Sequence, residues 1–138
     1  MIHIGIDPDL QKSGVCFIDG KTILELSVLP FFALIEKIKA AAAEQPVMVI
    51  IEAGWLNETK NYHAAKNKSI AARIGANVGE NHATGKLLEE AMVFYGISYK
   101  LVKPTTAKWN ADFFKKVTNY PSRTNQEQRD ALKLVWGL

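Results

Sequence analysis

The run Val47-Met48-Val49-Ile50-Ile51 shows no polar alternation, and it ends on a carboxylate, Glu52. A strand with one wet face alternates apolar and polar residues, so an unbroken apolar run of this length predicts a central strand covered on both sides. A chain containing it needs helices above and below its sheet. Two further segments also carry acids. Ile4-Gly5-Ile6-Asp7-Pro8 is a short apolar stretch that also closes on an acid, with Gly14 seven residues after the aspartate. Glu127-Gln128-Arg129-Asp130-Ala131-Leu132 places two more acids near the C-terminus.

The intervening sequence supplies the other elements. Residues 2–7 alternate around Ile2, Ile4 and Ile6 and read as a strand, residues 14–18 as a second, and Ile23 to Val28 as a third. Asp19-Gly20 between the last two is a hairpin signal, because both residue types tolerate positive φ. Pro30 opens a helix whose Phe31, Leu34, Ile35 and Ile38 follow helical spacing, and which stops before Pro46. Residues 55–68 are polar and without period, a loop beside the second acid. A long helix is expected from about Ser69 to Tyr95, with Ala72, Gly75, Gly79 and Ala83 along one side, and Gly96 as its stop. Residues 97–102 form a last strand, halted at Pro104. Thr105 or Thr106 is expected to cap a helix over roughly 107–117, and Asn125 a final helix through Trp136. The order β-β-β-α-β-α-β-α-α predicts an α/β fold with a mixed five-stranded sheet, helices on both faces, and one domain spanning residues 1–138.

Composition narrows the function classes. At 138 residues and 48% hydrophobic the chain builds one substantial core. No apolar stretch approaches the roughly 20 residues that span a bilayer, and the N-terminus has no secretory pattern. Cys16 stands alone in an apolar run and reads as core, so a cytoplasmic location without membrane attachment is the expectation. Charge is divided unevenly: residues 1–54 carry 4 Lys and Arg against 7 Asp and Glu, whereas residues 55–138 carry 13 against 7. The basic part mixes Lys60, Lys66, Lys68 and Arg73 with Trp55, Asn57, Asn61, Tyr62 and Asn67, which suits a polyanion partner.

The acids suggest the chemistry. Neighbouring strands lie about 4.8 Å apart, so carboxylates ending adjacent strands can share one cation. Glu127 and Asp130, three apart, share a helical face. Hard oxygen donors without a Cys or His cluster favour Mg²⁺ or Mn²⁺ over zinc, and two such ions serve phosphodiester hydrolysis. Asp7, Glu52, Glu127 and Asp130 are therefore the candidate metal ligands. Asp9, Asp19, Glu58, Glu80 and Asp112 read as ordinary surface acids. Trp55 reads equally as a base-stacking group or as a lid over the sheet end. His63 and His82 lack metal-ligand spacing.

These motifs, in this order over nearly the whole length, resemble the ribonuclease-H-like superfamily and within it the RuvC-type Holliday-junction resolvases. Asp7 in Gly-Ile-Asp-Pro matches the catalytic aspartate of the first strand, Glu52 the glutamate closing the fourth, and Asp130 the aspartate of the last helix. Glu127 stands where the family often has a second acidic residue or a histidine. Lys103 matches a lysine near the scissile backbone, Lys108 aligns alternatively with a basic residue beyond it, and Trp55 falls where an aromatic contacts junction bases. Asp9 replaces a frequent glycine, and the stretch from Lys103 to the last helix is abbreviated, as in compact phage-type or divergent members. The resemblance implies a nuclease using two Mg²⁺ ions, with Mn²⁺ substituting, and catalytic residues Asp7, Glu52, Glu127, Asp130 and Lys103. It also implies nucleic-acid contacts from Trp55, Lys60, Lys66, Lys68, Arg73 and Lys108, a four-way DNA junction as substrate, and a twofold homodimer. The rivals are an RNA-processing nuclease of the same superfamily and a catalytically silent nucleic-acid-binding module. Actin-like and sugar-kinase ATPases also begin with Gly-Ile-Asp, but need two such domains.

Overall fold

The computed structural model describes residues 1–57 and 68–138. Its sheet contains β1 (Ile2–Asp7), β2 (Ser13–Asp19), β3 (Thr22–Leu29), β4 (Val47–Glu52) and β5 (Tyr99–Val102), in the spatial order β3-β2-β1-β4-β5. The three hairpin-linked strands pair antiparallel, while β4 joins β1 and β5 in parallel. The helices are α1 (Phe31–Glu44), α2 (Lys68–Tyr95), α3 (Ala111–Thr118) and α4 (Gln126–Val135). The expected mixed five-stranded α/β architecture is the observed one, and β4 is the doubly covered strand that its apolar run requires.

Strand parity divides the core into two layers. Ile4, Ile6, Val15, Phe17, Val49 and Ile51 face α1 and α2, meeting Leu34, Ile35, Ile38, Leu88 and Met92. Cys16, Ile18, Leu26 and Ile50 face α3 and α4, meeting Phe114, Ala131, Leu132 and Val135. Gly5 and Gly14 lie on this second face. A Cβ at Gly5 would run into the Ala131 carbonyl, and one at Gly14 into the Glu127 carbonyl. The two glycines therefore let α4 rest directly on the sheet backbone, which carries its acids in beside Asp7. The same parity turns Asp7 and Glu52 toward α4.

Three local expectations are corrected. The hairpin turns on Gly20-Lys21, because Asp19 still pairs with Thr22 and only Gly20 takes a positive φ, of 60°. The last strand begins at Tyr99 instead of residue 97, since Ile97 is bonded back to the end of α2 through Met92 O. The third helix begins at Ala111, capped by the Asn110 side chain on Phe113 N–H at 2.8 Å, and not by Thr105 or Thr106. Lys133 instead ties the 103–110 loop to α4, through Thr105 Oγ1 at 2.8 Å and the Ala107 carbonyl. Pro30, Gly96 (φ 66°) and Asn125 act as expected, and Asn125 forms a reciprocal capping box with Gln128. Among the described residues no helix is long and apolar enough to cross a membrane.

Candidate active site

The site lies where β1 and β4 end. Their parallel register runs to Ile6 beside Ile51, so the next residues, Asp7 and Glu52, emerge as neighbours. Asp130 approaches from α4 and is 7% exposed. Burial, followed by the charges of Glu52, Asp130 and Glu127 against the opposing pull of Lys108, pushes the Asp7 carboxyl up to about 8. Glu52 is raised as well, by burial first, with Asp130 adding to the rise and Lys108 and Lys133 opposing it. Glu127 occupies the exposed first turn of α4, near enough to act on Asp7. The expected acids are thus brought to one end of the sheet.

Asp130 has direct partners. Lys108 Nζ reaches Asp130 Oδ2 at 2.8 Å, and Gln126 Nε2 donates to Oδ1, also at 2.8 Å. Lys108 is raised: burial works against its charge, but the hydrogen bond to Asp130 and the charges of Asp130, Glu52 and Asp7 prevail. Two clefts flank Glu52. One, of about 140 Å³, is lined by Asp7, Pro8, Glu52, Gly54, Trp55, Val78, Asn81 and His82. The other, of about 160 Å³, holds Lys103, Thr105, Lys108, Asp130 and Lys133 beside Glu52. Both are smaller than the roughly 300–1,000 Å³ pockets that enclose a small-molecule ligand.

Trp55 sits on a single 3₁₀ turn, Gly54–Leu56, half-buried against the core. Its ring rests on Gly85, where a Cβ would collide with the indole, and meets His82 edge-on at 6.2 Å between centroids. It covers the sheet end and also lines the cleft with Asp7 and Glu52. Lys68 and Arg73 are exposed on the first turns of α2, whereas Lys60, Lys66 and His63 lie outside the described residues. Sequence reasoning did not single out Gln126, Lys133 or Asn81, and it set His82 aside. Helical spacing offered a signal for two of them, since Gln126 and Lys133 stand four before and three after Asp130. Burial, with a smaller push from Lys86, keeps His82 below its ordinary value, favouring the neutral ring.

The donor set fits a hard divalent cation: carboxylate oxygens gather where one of them, Asp7, holds charge only against its burial and the neighbouring acids. Among the described residues no three acidic, histidine or cysteine side chains stand close enough to close around an ion in this arrangement. Each Asp130 oxygen accepts one hydrogen bond in this arrangement, from Lys108 and from Gln126.

No family model and no curated protein matches the sequence. Solved structures do match the fold. Thermus thermophilus RuvC in complex with Holliday junction substrate superposes with a TM-score of 0.51 at 18% identity, over 97% of this chain and 89% of that one. A second Thermus thermophilus RuvC structure gives 0.50 at 17% identity, over 97% and 90%. The likeness establishes the ribonuclease-H-like fold.

Proposed function

We propose that this chain is a divalent-metal-dependent endonuclease that cuts branched DNA, with the four-way junction as its substrate. The observation carrying the proposal is the gathering of Asp7, Glu52 and Asp130 at one end of a ribonuclease-H-like sheet, where burial first and the neighbouring acids second push the Asp7 carboxyl up to about 8. Carboxylates that repel one another in this way are stabilised by cations. Asp7, central in the set, would hold both ions, with Glu52, Glu127 and Asp130 completing their ligation. Bound there, two Mg²⁺ ions or Mn²⁺ in their place supply the charge that activates water and stabilises the leaving oxygen. Lys103 and Lys108, with Lys133 in the same cleft, would offset the charge of the phosphate. Trp55, at the mouth of the other cleft, would stack on a base opened at the branch point. Lys60, Lys66, Lys68 and Arg73 would track the backbone.

Paired cuts on a symmetric junction call for a twofold homodimer. The exposed face of α2 offers the surface. It runs through Ala72, Ala76, Gly79 and Ala83 and ends in Leu87 and Phe94, with Phe32 of α1 alongside. An antiparallel pair with its axis at Ala83 would set Phe94 on Ala72 of the second copy, Leu87 on its Gly79, and Lys86 opposite its Glu80. Large then meets small, and plus meets minus. With Cys16 buried, Ala83→Cys should give a symmetric disulfide-linked dimer on mild oxidation; a chain that stays monomeric would remove this interface.

The function is tested by a gel assay of a mobile four-way junction, a flap, a duplex and a structured RNA, each with and without Mg²⁺. Mg²⁺-dependent nicking of the junction is expected. Preferential cutting of the RNA would transfer the reading to RNA processing, and tight binding without cleavage would make the chain a silent binding module.

A further inference from the structure

We propose that Lys108 is a tethered cation that holds Asp130 until a divalent ion takes its place, and that the displaced ammonium then serves the substrate phosphate. The inference rests on the metal-dependent reading above and concerns how charges exchange within that site. Asp130 presents no idle oxygen: Oδ2 is engaged by Lys108 Nζ and Oδ1 by Gln126 Nε2, each at 2.8 Å. Each oxygen keeps a second lone pair, but the Lys108 ammonium sets a positive charge 2.8 Å from Oδ2, where an arriving ion would bring two more, whereas the neutral Gln126 amide does not compete by charge.

The two partners are not held equally. Gln126 is fixed on several sides: it sits on α4 one turn before Asp130, its amide nitrogen also reaches the Trp109 carbonyl at 3.3 Å, and Arg129 Nη2 donates to its oxygen at 3.0 Å. Lys108 comes from the 103–110 loop on a long flexible stem, and its side chain is 49% exposed against 8% for Asp130. Its one ion pair is this contact, among the described residues. A divalent cation arriving among Asp7, Glu52 and Asp130 repels an ammonium on the same carboxylate, and the lysine has somewhere to go. The cleft that holds it also contains Lys103, Thr105 and Lys133, a basic corner in which a released Nζ remains beside Glu52. The lysine thus neutralises Asp130 in one arrangement and becomes a phosphate-facing donor in the other, a positioning role that Lys103 does not share.

The test is a titration of the full chain with Mg²⁺, following the ¹⁵N-labelled lysine ammonium groups by NMR, with the Lys108 signal assigned through Lys108→Arg. The expected result is a protected, carboxylate-bonded ammonium in EDTA that moves to the position of a solvated lysine as the ion binds. Calorimetry with Mn²⁺ supplies the second readout. Lys108→Met should tighten ion binding about tenfold or more, whereas Lys103→Met, which removes the same charge from the same cleft without freeing Asp130, should change it far less. An ammonium that stays bonded while Mn²⁺ binds, or equal tightening in the two variants, overturns the exchange and leaves the metal site standing. Failure of wild type and both variants to bind Mn²⁺ sinks the exchange together with the metal-dependent reading.

Discussion

Replacing Asp7 by asparagine should stabilise the protein at alkaline pH while abolishing its activity. The folded chain holds the Asp7 proton to about pH 8, whereas the ordinary carboxyl releases it near 3.8. Between those values the folded state binds more protons than the unfolded state, so this residue makes stability fall as pH rises. The ceiling is about 1.4 kcal/mol per pH unit, or roughly 3 kcal/mol between pH 5 and 7. Water and mobile ions at a half-buried site reduce this to about 1–3 kcal/mol. Asparagine has nearly the same shape and no charge, so Asp7→Asn removes the slope. Urea unfolding in EDTA should show the two proteins converging near pH 4–5, with the variant the more stable at pH 8.5. Added Mg²⁺ should restore the wild type and do much less for the variant, since ligand binding stabilises by mass action. A variant no more stable than wild type at pH 8.5 in EDTA would refute the claim that this carboxylate ionises only against its burial and its acidic neighbours.

Other expectations follow from the same geometry. Glu52→Gln and Asp130→Asn should each lower the Mg²⁺-dependent cleavage rate by about 10²–10³-fold, the scale for losing one preorganised charge contact, with Glu127→Gln milder; single-turnover gels read this directly. Trp55→Ala should weaken junction cleavage by about 1–3 kcal/mol while sparing duplex binding if the indole stacks on bases; equal losses on every substrate with a lower Tm would make it a lid alone. Gly14→Ala pushes a methyl group at the Glu127 carbonyl and should destabilise by about 1–3 kcal/mol, as seen in urea melts, with weaker Mn²⁺ binding because α4 is lifted from the sheet.

Much of this arrangement could be read before any coordinates, and the reasons are local. The apolar run of β4 and the short alternation of β1 determine strand parity, and parity determines which face an acid at the strand end adopts. Asp7 and Glu52 were legible for that reason. Asp130 was legible because it stands three residues after Glu127 on one helical face, in a motif that resembles the last helix of the junction resolvases. Where the expectation failed, a tertiary contact outweighed a local signal. Thr105 and Thr106 are good capping residues, but Lys133 binds Thr105, while Arg129 and Gln126 both bond the Trp109 carbonyl, so the helix waits for Asn110. The hairpin shifted by one residue because Asp19 remains in the ladder. His82 and Asn81 join the first cleft only because Gly85 admits the Trp55 ring and draws that part of α2 over the strand ends. Nothing in their own spacing announces it. The ion pair of Lys108 likewise joins residues 22 apart through a loop with no period.

The central claim is that Asp7, Glu52 and Asp130 together hold divalent cations. Anomalous scattering from crystals grown with Mn²⁺ tests it most directly. Strong anomalous density is expected within direct ligand distance of the Asp7 carboxylate, shared with Glu52 on one side and Asp130 on the other, and absent in Asp7→Asn. Crystals in which Mn²⁺ lies elsewhere, or in which the Asp7→Asn variant retains the same density, would contradict it.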